Sequence, residues 1–429
     1  AVLEQGRIVV HRSVGKIKEL ESAVWGANLT GTVGLGHTRW ATHGRPTEEN
    51  AHPHTDCTGD LVVVHNGIIE NYVALKEKLI AEGHVFRSET DTEVIAHLIE
   101  KYLKEDPDIE RATRRTLNDL TGAYAIGVLW KGDPGRIVGA RCQSPLVVGL
   151  GEGDFFFASD IPAILSHTRN VLFLNDGEMV VLTREGVHVT TLNGETVQRP
   201  VEKVLWSPIL AEKGGYKHFM LKEIYEQPRA VRDTIRGRFS EESATIFVEG
   251  MEQLDEHLAA IDKIMLIACG TAWHAGLVGK FMIEELARVP AEVDYSSEFR
   301  YRDPVVGDRT LVLAISQSGE TLDTLAGIKE AQARGCHTAA ICNVVGSSLT
   351  REVEGVLYTH AGPEIGVAAS KTFTAQLAAL YLFALYLGQK RGTLDAERIR
   401  GLLADLVRLP QQIEHVLHLD AETARLAQQ

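Results

Sequence analysis

The stretch Leu313-Ala314-Ile315-Ser316-Gln317-Ser318-Gly319-Glu320-Thr321 decides how the second half of this chain is read. An apolar run stops at small hydroxyl and amide residues, and helix-like text follows. The pattern predicts a buried strand, a tight loop and a helix N-terminus. Main-chain N–H groups, hydroxyl donors and the positive end of the helix dipole converge at such a junction and suit a phosphate. A similar junction lies upstream, where Ile264-Met265-Leu266-Ile267-Ala268 runs into Cys269-Gly270-Thr271-Ala272. Two such loops in one α/β unit point to a sugar-phosphate pocket.

Outward from these loops, strands and helices alternate from residue 256 onward. Strands are expected at 264–268, 291–295, 310–315, 338–342 and 356–359, and helices at 272–287, 321–334, 347–354 and 368–388. That is the grammar of a doubly wound parallel sheet, which binds ligands at the carboxyl ends of its strands. Residues 1–190 read differently. Short runs punctuated by Gly, Asp and Asn predict antiparallel strands at 61–65, 124–130, 137–141, 146–150, 155–158, 171–174 and 178–183. Two helices, 72–82 and 91–103, interrupt them, the second with Thr90 or Asp91 as N-cap. This half is expected to be layered α+β. Residues 191–255, with Pro200, Pro208, Gly214, Gly215 and Pro228, read as a connector.

A length of 429 residues implies two or three domains. The formal charge of −14 provides no basic field to displace counterions, so no nucleic-acid partner is expected. No apolar window is long enough to cross a bilayer, and residues 377–387 read as a packed helix. The five cysteines form no CxxC pair, which fits free thiols in a reducing cytoplasm. Cys57 is expected to be an incidental thiol. Residues 1–12 already read as a hairpin and 421–429 as an unstopped helix, so truncation is expected at both ends.

The first half carries a second dense block: His37-Thr38-Arg39-Trp40-Ala41-Thr42-His43-Gly44, followed by Asn50-Ala51-His52-Pro53-His54 and Val64-His65-Asn66-Gly67. The histidines suggest a metal, but no HExxH and no acidic ligand at a helical offset supports one, so no metal is expected. Arg39 offers a planar fork suited to an α-carboxylate. Asp91 could take an α-ammonium or be a plain N-cap. Asn66-Gly67 could form a paired-donor oxyanion hole or a hairpin turn. The helix-like text after Ile68-Ile69-Glu70-Asn71 weakens the turn.

These blocks, with Ser88-Glu89-Thr90-Asp91-Thr92-Glu93, resemble the glutaminase half of the glutamine–fructose-6-phosphate aminotransferase family. Ala268-Cys269-Gly270-Thr271, Ser297-Glu298-Phe299-Arg300-Tyr301-Arg302, Ser316 to Thr321 and Glu364-Ile365-Gly366-Val367-Ala368 resemble its first sugar-isomerase (SIS) lobe, and Lys222-Glu223-Ile224-Tyr225-Glu226-Gln227-Pro228 its connector. The likeness spans the chain in the right order. It implies an α+β N-terminal-nucleophile hydrolase sandwich, then an α/β doubly wound SIS lobe. It divides the chain into a type 2 glutamine amidotransferase domain at 1–190, a connector at 191–255, an SIS domain at 256–393 and, at 394–429, the start of a linker to a second SIS lobe.

The implied reaction hydrolyses glutamine, passes ammonia internally and turns fructose 6-phosphate into glucosamine 6-phosphate. By position, Arg39, Thr42, His43, Gly67 and Asp91 hold glutamine, Asn66 and Gly67 form the oxyanion hole, and Trp40 gates the ammonia path. Thr271, Ser316, Gln317, Ser318 and Thr321 hold the sugar phosphate, with Val367 nearby. A cytoplasmic homodimer without cofactor or membrane partner is implied.

The sequence also departs from the family pattern. The family nucleophile is an N-terminal Cys; position 1 here is Ala. The isomerase acid–base residues lie in the family's second lobe, so the chain as written is expected to be inactive. Lys371 belongs to the first-lobe block and receives no catalytic role. Ala272, Trp273 and Ala369 stand where other residues are usual. The rival readings are another type 2 amidotransferase, which lacks support without an acidic PRPP loop, and a non-catalytic sugar-phosphate-binding SIS protein. A fructosamine-type deamidating enzyme would not need the His37–His43 block.

Overall fold

The run Leu61-Val62-Val63-Val64 is apolar at every position because both faces of its strand are covered. Leu61, Val63 and Ile69 pack against Ile95 and Ile99 of a helix, while Val62 and Val64 face Leu35 and Leu129. The computed structural model describes residues 1–27, 29–39, 44–204, 206 and 213–428. They fall into two units, Ala1–Val204 and Leu205–Gln429.

In the first unit, six antiparallel strands lie in the order Val187–Thr191, Glu178–Leu182, Ile137–Cys142, Gly122–Trp130, Leu61–Ile69 and His54–Thr55. Helices Tyr72–Ala81, Glu93–Glu105 and Ile109–Asp119 bury Leu79, Ile95, Ile109 and Leu117 in the core on one side of this sheet. A second core of Ala125, Val148, Leu172 and Val180 joins it to a four-stranded sheet that includes Val147–Leu150, Phe155–Ala158 and Asn170–Phe173. Gly127 and Gly139 are cross-strand partners. A Cβ at either would lie within 3.1 Å of the Phe157 ring, so the glycine pair makes the bed for that ring. The expected hairpin at the start is present, with Val2–Glu4 paired to Arg7–Val9.

In the second unit, five parallel strands lie in the order Ala291–Tyr295, Lys263–Ala268, Thr310–Ser316, His337–Cys342 and Gly355–Tyr358. Ile264, Leu266, Leu311, Leu313 and Ile341 are buried on one side of the sheet, and Met265, Ile267, Val312 and Ala314 on the other. Helix Lys371–Arg391 lies against helices Thr271–Leu286 and Phe219–Ile235. Its apolar text runs around the helix because most of its residues are buried. No helix among the described residues is long and apolar enough to cross a membrane. Helix Lys371–Arg391 ends at Gly392, whose φ of +67° supplies the left-handed C-cap.

Several expectations need correction. The strand expected at 61–65 runs to Ile69. The second helix starts at Glu93 rather than residue 91. Helices Ile17–Val24, Ile109–Asp119 and Ser296–Tyr301 and strand Val187–Thr191 were not anticipated. Pro228, read as connector punctuation, is buried inside helix Phe219–Ile235.

Candidate functional site

In the second unit, register brings the two phosphate-like loops together. Ala268 pairs with Ile315 in the parallel ladder, so Cys269 leaves the sheet beside Ser316, the last residue of its strand. The chain departs from strand Lys263–Ala268 to a neighbour on one side and reaches Thr310–Ser316 on the other. The crevice between them is therefore a topological switch point, where open α/β sheets place their ligands.

A cavity of about 170 Å³ opens there, lined by Thr271, Ser316, Gln317, Ser318, Thr321 and Val367 among others. All six residues expected to hold the sugar phosphate thus line one cavity. Helix Thr271–Leu286 starts at the cavity after Gly270, whose φ is +62°. Helix Leu322–Ala333 starts there with Thr321 as an N-cap whose side chain makes no capping bond.

The loop is held by its own hydroxyls. Gly319 N donates to Ser316 Oγ at 2.9 Å and Glu320 N to Ser318 Oγ at 3.1 Å. Ser318 N and Thr321 N have no acceptor among the described residues. Gly319 is required as glycine: its φ is +68° and a Cβ would lie 2.0 Å from Ser347 Oγ. Glu320 ties the loop to helix Ser348–Glu352 by accepting from Ser348 N at 2.7 Å. Among the described residues, no lysine or arginine lines the cavity. An anion placed here is met by main-chain amides, hydroxyls and two helix dipoles.

Two further lining residues carry no role in the sequence reading. Glu364 accepts from Ser370 N at 2.8 Å and from the Thr372 hydroxyl, and so fastens the start of helix Lys371–Arg391. Gln376 is buried, and its Oε1 has no hydrogen-bond partner among the described residues. The available signal was one amide in a run of Ala, Leu and Phe. Lys371, denied a catalytic role, is buried and donates to Glu226 at 2.6 Å. Trp273 stacks on Tyr295 with centroids 4.4 Å apart.

In the first unit, Trp40, Thr42 and His43 lie outside the described residues. Arg39 and His37 line a cleft of about 500 Å³. Two carbonyls orient the Arg39 guanidinium: Arg45 O at 2.9 Å and Gly44 O at 3.1 Å. The hairpin-turn reading of Asn66-Gly67 is excluded, since both sit inside strand Leu61–Ile69, opposite Ala125 and Tyr124. His37 Nε2 lies 2.8 Å from Asn66 Oδ1. With the nitrogen donating, that contact occupies the amide oxygen and leaves the amide NH2 to donate elsewhere. Gly67 has φ +130°. The plain N-cap reading of Asp91 also fails: its Oδ2 accepts from Ile69 N at 2.8 Å, so the buried carboxylate ties the helix start to the strand carrying Asn66.

Three of the clustered histidines pack against one another. His37 and His52 pack with tilted rings, centroids 4.0 Å apart, and His52 meets His54 edge-on at 4.9 Å. They form no metal-competent group among the described residues. Cys57 is not an isolated thiol: its Sγ lies 3.6 Å from His97 Nδ1.

Burial lowers the His54 pKa to about 3 and that of His65 to about 4, and lowers His52 and His37 as well. An unfolded histidine titrates near pH 6.5. Between about 4 and 6.5 the unfolded chain therefore binds more protons than the folded one. The stability held by neutral His54 and His65 is complete above about pH 6.5 and is lost as pH falls, by up to about 1.4 kcal/mol per pH unit for each histidine. The urea midpoint is expected to fall from pH 7 to pH 5, with a shallower fall in His65→Gln; a flat midpoint over this range contradicts the assignment.

Residues 9–213 match the glutamine amidotransferase domain model and residues 257–386 the SIS domain model. The chain is 54% identical over 424 residues to a glutamine–fructose-6-phosphate aminotransferase [isomerizing] of Thermus thermophilus, covering 99% of this chain and 69% of that protein. It is 49% identical over 417 residues to the protein of the same name from Caldanaerobacter subterraneus, covering 97% of this chain and 68% of the relative. A solved C-terminal domain of glucosamine-fructose-6-phosphate aminotransferase from Francisella tularensis is 40% identical, with a TM-score of 0.48 over 51% of this chain and 60% of that one. Nothing in these likenesses supports the expectation of an inactive chain. An amidotransferase half, an SIS half and half-identity across nearly every residue make this chain a member of the glutamine–fructose-6-phosphate aminotransferase (isomerizing) family.

Proposed function

We propose that this chain serves the glutamine-dependent conversion of fructose 6-phosphate to glucosamine 6-phosphate, a step of amino-sugar synthesis. In this reading residues 1–190 take glutamine, 191–255 connect and 256–393 take the sugar phosphate; residues 394–429, expected to begin a linker, instead include helix Ala396–Leu417, whose Ile399, Leu403 and Leu406 pack into the core of the same unit. Arg39, with Thr42 and His43, receives the α-carboxylate, and Asp91 the α-ammonium. The Asn66 amide and Gly67 N–H donate to the oxyanion that develops when the glutamine amide is attacked. Trp40 gates the ammonia released. Thr271, Ser316, Gln317, Ser318 and Thr321 surround the phosphate, with Val367 at the rim. The enzyme works as a cytoplasmic homodimer on these two small molecules.

The observation that carries this reading is the cavity at the switch point, where two helix N-termini meet N–H groups that have no acceptor, and no basic side chain competes, among the described residues. Calorimetric titration tests it. Fructose 6-phosphate is expected to bind and fructose to bind far more weakly. Ser318→Ala and Thr321→Val each remove a hydroxyl donor to a charged group and should weaken binding about tenfold or more. No heat with fructose 6-phosphate, or equal binding of fructose, refutes the phosphate assignment.

A further inference from the structure

We propose that Cys57, His84, His97 and Glu100 form a structural zinc-type metal site in the first unit, separate from the glutamine residues. The donor atoms come from three places. Cys57 sits between strands His54–Thr55 and Leu61–Ile69, His84 follows helix Tyr72–Ala81, and His97 and Glu100 lie one turn apart on helix Glu93–Glu105. Their four ligand atoms lie within 4.8 Å of one another. Cys57 Sγ is 3.8 Å from His84 Nδ1 and 3.6 Å from His97 Nδ1. The two Nδ1 atoms are 3.3 Å apart, and Glu100 Oε2 is 3.1 Å from one and 3.3 Å from the other.

These separations are the edges of a tetrahedron. Metal bonds of about 2.0–2.1 Å to nitrogen and about 2.3 Å to sulfur imply edges of about 3.3 Å between nitrogens and about 3.6 Å from nitrogen to sulfur. A cation at the centre would take one lone pair from each of the four side chains. One thiolate, one carboxylate and two neutral imidazoles balance a divalent charge, so the loaded site is neutral where burial would punish a net charge.

The surroundings are built for the same end. His84, His97 and Glu100 are buried, while Cys57 is partly exposed and offers a way in. His97 Nε2 lies 3.6 Å from Glu93 Oε1, in the position of a carboxylate that orients a ligating imidazole. Lys104 Nζ holds the other Glu100 oxygen at 2.9 Å, and Cys57 N donates to Oε2 at 3.2 Å. Mixed sulfur, nitrogen and oxygen donors in a tetrahedron select zinc over magnesium or calcium. Four protein ligands leave no open position, so the ion ties the 55–61 loop and the 82–92 segment to the helix that follows Asp91.

Cobalt(II) titration of the purified, metal-stripped full chain tests the proposal. One cobalt per chain is expected to bind, with intense tetrahedral visible bands and a thiolate-to-cobalt charge-transfer band, and one equivalent of zinc should displace it. Zinc should raise Tm by about 5 °C or more. Cys57→Ser should abolish the charge-transfer band, and His84→Gln should weaken cobalt binding at least tenfold, with far-UV circular dichroism unchanged. Absence of a stoichiometric tetrahedral cobalt spectrum in the parent chain overturns the site. So does a spectrum that survives unchanged in folded Cys57→Ser and His84→Gln.

Discussion

Glu226→Ala is expected to destabilise the 205–429 unit by about 3–5 kcal/mol, the usual result of leaving a buried charge without its partner. Lys371 is 2% exposed, and its ammonium donates to Glu226 Oε2 at 2.6 Å. Lys371 also opens its helix, where the dipole repels a cation, so the carboxylate offsets two costs at once. Lys222 lies 3.5 Å from the other Glu226 oxygen and cannot replace the missing anion. Lys371→Met removes the charge itself. The double variant Glu226→Ala/Lys371→Met should therefore recover much of the loss. Equilibrium urea unfolding of the four chains gives the coupling energy. Additive losses would mean that the two side chains do not depend on each other. The same helix carries Gln376 into the sugar cavity, so the ion pair also seats part of that site.

The second large effect is expected at Gly67. Its φ is +130°, and a Cβ there would lie 2.0 Å from Ala123 O and 2.7 Å from Ala123 C. Both obstacles are main chain and cannot rotate aside. Gly67→Ala adds backbone strain of about 1–3 kcal/mol to overpacking of about 1–3 kcal/mol, or about 2–6 kcal/mol in all. The paired strands Leu61–Ile69 and Gly122–Trp130 must part to admit the methyl group. Its neighbour provides the contrast. Asn66 is exposed and bonded to His37, so Asn66→Ala should cost about 1 kcal/mol or less. Thermal unfolding of the two variants should separate them clearly; equal, small losses would show that the strand tolerates a side chain at 67.

Where the sequence was legible, one physical pattern dominated the local text. Parallel strands buried on both faces are uninterrupted apolar runs, so Leu313-Ala314-Ile315 and its halt at Ser316 were read within one residue of the observed end. The nearness of the two loops also followed, because open α/β sheets gather their loops at one edge. Helix Ile109–Asp119 was missed because its exposed face is dense in Arg, Asn and Asp and its buried face is narrow. Its one clear sign, the Asp108 side chain accepting from Arg111 N, looks in sequence like ordinary polar text.

Other ambiguities came from partners distant in sequence. Asn-Gly suggests a turn until the pairing of Ile69 with Gly122 is known. Asp91 looked like a cap because its acceptor role reaches across to Ile69, 22 residues away. The cysteine–histidine–glutamate cluster combines separations of 27, 13 and 3 residues, and only the last has helical periodicity.

A crystal of the chain soaked with fructose 6-phosphate tests the central claim most directly. The account predicts the phosphate in the crevice between strands Lys263–Ala268 and Thr310–Ser316, within hydrogen-bond reach of the Ser318 and Thr321 main-chain amides and the Ser316, Ser318 and Thr321 hydroxyls. Phosphate density elsewhere on the unit, with those amides facing only solvent, would contradict it.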